Sequence, residues 1–120
     1  MKHFTFDLPL SDESIEYSIG QNARENTELV QDSEPQDLWF HAGDGISSCH
    51  VVAKLPEDLT ICKRELLMII KRGALLCKEN TNKLKSSHHV PFIYAKIEHV
   101  HPTRVMGEVQ VEHIAKTIYL

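Results

Sequence analysis

Two short segments constrain this chain most: D-L-W-F-H at Asp37–His41 and C-H-V-V-A-K at Cys49–Lys54, separated by Ala42 and the turn-forming G-D-G-I-S-S. Successive side chains of a strand point to opposite faces. Leu38, Phe40 and Ala42 therefore make one apolar stripe, and Asp37, Trp39 and His41 make the other. Two antiparallel registers keep Leu38 and Phe40 against Val51 and Ala53. A tight Asp44-Gly45 turn sets Trp39 opposite His50 and His41 opposite Ser48. A looser turn sets His41 opposite His50, Trp39 opposite Val52 and Asp37 opposite Lys54. A slip of one residue would carry charges into the core. Both allowed registers gather Asp37, Trp39, His41, His50 and Lys54 on one surface. The chain's only Trp stands in the middle of that surface, so this second face is either covered as well or a place where something docks.

The flanking sequence supplies the other elements. Phe4, Phe6 and Leu8 alternate with polar residues, as do Ile15, Tyr17 and Ile19, and P-L-S-D-E-S lies between them; residues 3–19 read as a hairpin. Gly20 breaks the alternation before Q-N-A-R-E-N-T-E-L-V, a short helix with Asn22 and Asn26 one turn apart and Arg24 and Glu28 as an i,i+4 pair. Pro35 ends it. Pro56, Glu57 and Asp58 mark the start of a long helix, with Asp58 or Thr60 as N-cap, running to about Glu79 on the spacing of Cys62, Leu66, Ile69, Ile70 and Cys77. Gly73 reads as a weak point in it, at ~1 kcal/mol relative to Ala if exposed. A polar loop, a strand at Val90–Val100, the turn H-P-T-R-V-M-G and one or two closing strands in Glu108–Leu120 complete the chain. The expected fold is one α+β domain over residues 1–120, a mainly antiparallel sheet of hairpins packed against one long helix, with the short helix after Gly20.

An apolar share of 42% in 120 residues suffices for one core. No run approaches the roughly 18 consecutive apolar residues of a membrane span, and M-K-H-F-T-F-D-L lacks the apolar run of a signal peptide. Three cysteines without C-x-x-C spacing fit a reducing compartment, the cytosol or nucleus, better than a disulfide framework. The net charge of −4 conceals an asymmetry: residues 1–59 carry three basic and twelve acidic side chains, residues 60–106 nine basic and three acidic. A basic half can hold a polyanion. It can equally attract the acidic half or a partner copy.

An indole flanked by His, Asp and Lys suits a flat hydrogen-bonding ligand. A nucleobase stacks on Trp for ~1–3 kcal/mol while the other groups read its edges. The competing reading packs Trp39 under the long helix, with Asp37 and His41 bonded to backbone. The segments I-G-Q-N-A-R-E-N, D-L-W-F-H, S-S-C-H-V-V, V-P-F-I-Y-A and G-E-V-Q-V-E-H-I-A-K-T-I-Y-L, in this order across residues 15–120, resemble the NFACT-R domain. That domain is the RNA-binding module of proteins that include ribosome-quality-control tailing factors and fibronectin-binding-like proteins. The chain reads as a stand-alone member, nearer the short coiled-coil-bearing branch in its S-S-x-H motif.

The resemblance implies binding of structured RNA of the tRNA or rRNA class, with DNA a further candidate ligand, and no peptide tailing. Carried over by position, it makes Gly20, Asn22 and Asn26 ligand candidates beside Asp37, Trp39, His41, His50 and Lys54. Gly20 would admit a phosphate to the helix start, where Arg24 also lies. Lys63, Arg64, Lys71 and Arg72 would track a backbone along the long helix, and Lys83, Lys85 and Arg104 would add phosphate contacts from loops. Three departures stand out. The interval from His41 to His50 is one residue longer than usual, so the turn is expected to bulge. The loop before Gly107 keeps only Arg104 of a commonly lysine-rich stretch. Ile93 replaces a frequent acid. His99 and His101, charging at about pH 6, would make phosphate affinity pH-dependent.

Other chemistry is thinner. Eight histidines show neither H-E-x-x-H nor finger spacing, so no metal and no cofactor is expected. His41 and His50 as acid and base would make an RNA-processing enzyme, with Lys54 as the nearby cation. A protein-interaction module working through the acidic half is the third reading.

Overall fold

The computed structural model describes residues 1–57 and 61–120. The strands are β1 (Lys2–Asp7), β2 (Ser14–Gly20), β3 (Leu38–Ala42), β4 (His50–Lys54), β5 (Pro91–Lys96), β6 (Val100–Pro102), β7 (Val109–Val111) and β8 (Lys116–Tyr119), with helices α1 (Ala23–Asp32) and α2 (Lys63–Glu79). The expected α+β architecture holds. Six strands form one sheet in the order β1-β2-β4-β3-β5-β8, every neighbouring pair antiparallel, and β6 and β7 form a separate ribbon. The Asp58 or Thr60 cap falls outside the described residues; α2 begins after Cys62, which makes no side-chain capping bond. Among the described residues no helix is long and apolar enough to cross a membrane.

One face of the sheet carries Tyr17, Phe40, Val51 and Phe92, and α2 closes it with Ile69, Ile70, Ala74 and Cys77. Tyr17 donates its hydroxyl to the Ile69 carbonyl at 2.9 Å. Gly73, expected to weaken the helix, does the opposite. It is buried, and a Cβ there would collide with the Phe40 ring, so the missing side chain lets helix and sheet approach. Glu65, 2% exposed, accepts from Leu10 N at 3.0 Å and from Ser11 Oγ at 3.3 Å, and so pins the β1–β2 turn to the first turn of α2.

The opposite face is not open to water. Leu29 and Val30 of α1 with Ile97 and Val100 cover Trp39, Val52 and Ala95, and Val109 and Val111 of β7 pack at the margin. The stripe that ends the polar alternation of β3 is thus the middle of a second, smaller core, under α1 and the β6–β7 ribbon rather than under the long helix. The β3–β4 register is the looser of the two allowed ones, with Leu38 opposite Ala53, Trp39 opposite Val52 and Phe40 opposite Val51. The turn starts tightly, with Asp44 and Gly45 both at positive φ (54° and 71°) and Ile46 N donating to Gly43 O at 3.0 Å. It then bulges as expected, because the Ser48 hydroxyl replaces a strand partner and accepts from Ala42 N at 3.0 Å.

Candidate functional site

Asp37 and Trp39 are each 1% exposed. The Asp37 carboxylate accepts from Glu34 N and from Leu55 N, both at 2.9 Å, tying the approach to β3 to the exit from β4. Both its oxygens are committed to the backbone, and what it borders is the small cavity beside Lys54, away from the imidazoles. This corrects its place in the expected patch. Trp39 is no stacking platform either: its indole is enclosed by α1, β5 and the residues after it, and the His41 ring lies parallel on it, at 4° and 5.6 Å between centroids. What Trp39 does is hold two imidazoles. Its Nε1 donates to His50 Nδ1 at 3.1 Å, and the His41 and His50 rings meet edge-on at 4.8 Å.

Chemistry fixes both tautomers. An indole N–H only donates, so His50 Nδ1 holds a lone pair and its Nε2 carries the hydrogen. A carbonyl only accepts, and Ala42 O lies 2.7 Å from His41 Nδ1, so that nitrogen carries the hydrogen and Nε2 is left as acceptor. Burial, then the neighbouring His41, push the His50 pKa down to about 3. Burial also lowers His41, outweighing the Ala42 carbonyl, and Lys83 adds to the lowering. Ile93, opposite His41 in the β3–β5 register, supplies no carboxylate to reverse this. At neutral pH the pair is one donor and one acceptor, both uncharged.

The two imidazoles line a groove of about 1300 Å³. Its walls come from four segments: Gln21–Ala23 at the start of α1, the 42–49 turn, Glu79–Lys85 after α2, and the 105–109 loop. Asn22, Asn26, Trp39, His41, His50, Lys83 and Lys85 are therefore brought together as expected. The helix start is less open to a phosphate than its sequence promised. Asn22 Oδ1 accepts from Glu25 N at 2.9 Å and Glu25 Oε1 from Gln21 N at 2.9 Å, so two of the donors at the helix start are already taken, one by an amide oxygen and one by a carboxylate. Gly20 is buried because Asn26 occupies the space of its missing side chain, and Asn26 Oδ1 accepts from His50 N at 3.3 Å.

The remaining candidates lie elsewhere. Lys54 borders a separate cavity of about 220 Å³ with Asp32, Ser33 and Asp37. Arg24 is exposed and paired with Glu28 at 3.0 Å. Lys63, Arg64, Lys71 and Arg72 ride on α2, across the sheet from α1, and Arg72 sits over the Phe4 and Phe6 rings at 5.6 and 5.0 Å. Arg104 is exposed beside the groove's 105–109 loop without lining it. His99 Nδ1 and His101 Nε2 both reach Glu112 Oε2, at 3.1 and 3.0 Å, and His99 Nε2 reaches Glu98 at 3.3 Å. Both imidazoles of the expected phosphate contact thus face the protein's own carboxylates.

Two groups of groove residues escaped the sequence reading. Cys49 and Thr81 face each other where β4 begins and α2 ends, 3.2 Å apart from Cys49 N to Thr81 Oγ1. Val105 and Met106, 59% and 61% exposed, form the far rim. Gly107 was the available signal for that rim: at φ +83° it lies against Ala23, and its N–H donates to Thr27 Oγ1 at 2.7 Å, docking the loop on α1.

No family model matches the chain. It is similar to coiled-coil domain-containing protein 25 of Danio rerio, 40% identical over 69 residues, which are 52% of this chain and 33% of that protein. In three dimensions it is similar to the C-terminal part of the fibronectin/fibrinogen-binding protein from Streptococcus suis, with a TM-score of 0.73 and 24% identity over 94% of this chain and 43% of that one. The chain thus spans about a third of the zebrafish relative and under half of the streptococcal chain, and the second likeness concerns the fold alone.

Proposed function

We propose that this chain is an NFACT-R-like domain that binds structured RNA in the groove without cleaving it. The observation that carries this reading is the pair of tautomer-locked imidazoles at the groove floor. His50 Nδ1 and His41 Nδ1 are both engaged inside the protein, which leaves for a ligand the acceptor of half-buried His41 and, behind it, the donor of His50, a residue only 2% exposed. That pairing complements an amide-like base edge. Lys83 and Lys85 at the rim supply cations for the phosphates that flank an unpaired base. The motif segments D-L-W-F-H and S-S-C-H-V-V supply this floor and one wall, which is why the resemblance supports the same reading. RNA of the tRNA or rRNA class in the cytoplasm is the partner and place this implies.

The acid–base reading fares worse on physical grounds. General acid catalysis needs an imidazolium at the working pH, and both rings are held uncharged by burial, His50 to about 3. Lys54, its expected cation, borders the other cavity. A protein-interaction reading draws support from the fibronectin/fibrinogen-binding name of the streptococcal neighbour, at the level of fold only.

Filter binding of labelled tRNA across a salt series tests the proposal. Affinity should fall steeply with salt and drop in His41→Ala. Affinity that is absent at low salt, or equal in wild type and a folded His41→Ala, overturns it. The same mixtures run on a denaturing gel should show intact tRNA; fragments that vanish in His41→Ala would establish the enzyme instead.

A further inference from the structure

At the groove wall the chain holds two sulfurs in contact, and neither the groove's polar pair nor the fold needs them to be sulfur. Cys49 Sγ and Cys77 Sγ are 3.9 Å apart, one in the unpaired segment before β4 and the other near the end of α2. Cys49 is half-buried and lines the groove; Cys77 is buried. Polar groups surround them. Thr81 Oγ1 lies 3.5 Å from Cys49 Sγ, Ser48 Oγ lies 3.5 Å from Cys77 Sγ, and each thiol has the other residue's carbonyl as an acceptor, Cys49 Sγ to Cys77 O at 3.5 Å and Cys77 Sγ to Cys49 O at 3.3 Å. A buried structural thiol normally sits among apolar groups and is inert. This pair is arranged so that one accessible sulfur lies within reach of a thiol and a hydroxyl that can donate to it, while the second sulfur waits behind it.

We propose that Cys49 and Cys77 form an oxidisable dithiol, in which a hydroperoxide reacts at Cys49 and Cys77 closes an intramolecular disulfide. The Cys49 thiolate attacks the distal oxygen of the peroxide, the O–O bond breaks, and Cys49 becomes a sulfenic acid while an alcohol, or water from hydrogen peroxide, leaves. Cys77 then gives up its proton, its sulfur bonds to that of Cys49, and the sulfenic oxygen departs as water. Both electrons come from the two sulfurs and go to the peroxide. A hydrogen bond from Cys77 favours the thiolate at Cys49, against the effect of burial, and keeps the proton on Cys77; the Thr81 hydroxyl, which gives its hydrogen to the Cys77 carbonyl at 2.9 Å, adds a second once it turns to Cys49. The sulfurs must close from 3.9 Å to about 2 Å. Cys49 stands outside β4 in the bulged turn, its backbone held by side chains rather than by a strand partner, where rotation about its side chain and a small backbone shift can supply this.

This inference does not depend on RNA binding. The test uses the full chain, with exposed Cys62 as internal reference. After brief hydrogen peroxide treatment, free thiols are alkylated under denaturing conditions and the chain is weighed and mapped. The expected result is the loss of two hydrogens, with Cys49 and Cys77 blocked, Cys62 still alkylated, and both restored by dithiothreitol. In Cys77→Ser, oxidation should stop at a Cys49 sulfenic acid captured by a 1,3-dione. If Cys77→Ser fails to fold, the order of loss in the wild-type chain decides: Cys49 must disappear before Cys62. Wild-type Cys49 and Cys77 that stay alkylatable while Cys62 is consumed would overturn the proposal.

Discussion

Trp39 gives its indole hydrogen to a buried ring nitrogen that has no other donor among the described residues, and that single bond decides what His50 offers to the groove. Trp39→Phe keeps most of the apolar volume but orphans His50 Nδ1, for which a loss of about 1–3 kcal/mol in unfolding free energy is expected. RNA affinity should fall with it at temperatures where the variant is fully folded. Denaturant unfolding and filter binding check the two parts, and a variant as stable as wild type would show that the bond holds nothing. The same ring predicts an acid response. A histidine whose folded pKa is depressed binds its proton more readily in the unfolded chain. Its stabilising effect is complete above the unfolded value of about 6.5 and is lost as pH falls toward the folded value of about 3. Each pH unit in that window costs at most ~1.4 kcal/mol. His50→Asn, which retains an acceptor near the indole but does not titrate, should flatten the decline between pH 6.5 and 4.5; an unchanged slope would assign the acid sensitivity to other groups.

At the scale of elements, packing across layers decided what local pattern left open. The alternation in β1, β2, β3 and β4 and the helical spacing of α2 were readable because each is a short-range property, and the segments lie close to where the residues put them. Which elements cover the Trp39 face was not readable. Val100 and Ile97 reach it only because the chain turns back after β5, and no local signal reports that. Gly73 shows the same limit: spacing sees a poor helix former, whereas the structure places the Phe40 ring where a Cβ would be. Gly73→Ala, a gain in helix propensity, should therefore destabilise by about 1–3 kcal/mol through overpacking. Thermal unfolding with a higher midpoint than wild type would refute this. At the other helix, Asn22→Ala should cost ~1 kcal/mol through loss of the bond to Glu25 N, read in the same assay.

Taken whole, the molecule separates its basic half into two regions. Lys63 and Arg64 begin α2, roughly 24 Å along a 17-residue helix from the end that walls the groove. Lys83 and Lys85 follow that end and line the groove, close enough for Lys83 to disfavour charge on His41. Composition alone could not distinguish the two, since both belong to the same cationic stretch of sequence. If RNA occupies the groove, each lysine that meets a phosphate adds its share of counterion release, about 0.7–0.9 in the slope of log affinity against log salt. Lys83→Glu with Lys85→Glu should weaken tRNA binding and flatten that slope by close to two such shares. Lys63→Glu with Arg64→Glu changes the net charge equally, so any purely long-range attraction would respond equally to both pairs. Only a groove-bound ligand separates them. Equal losses in the two double variants would move the RNA off the groove and onto the charged surface as a whole.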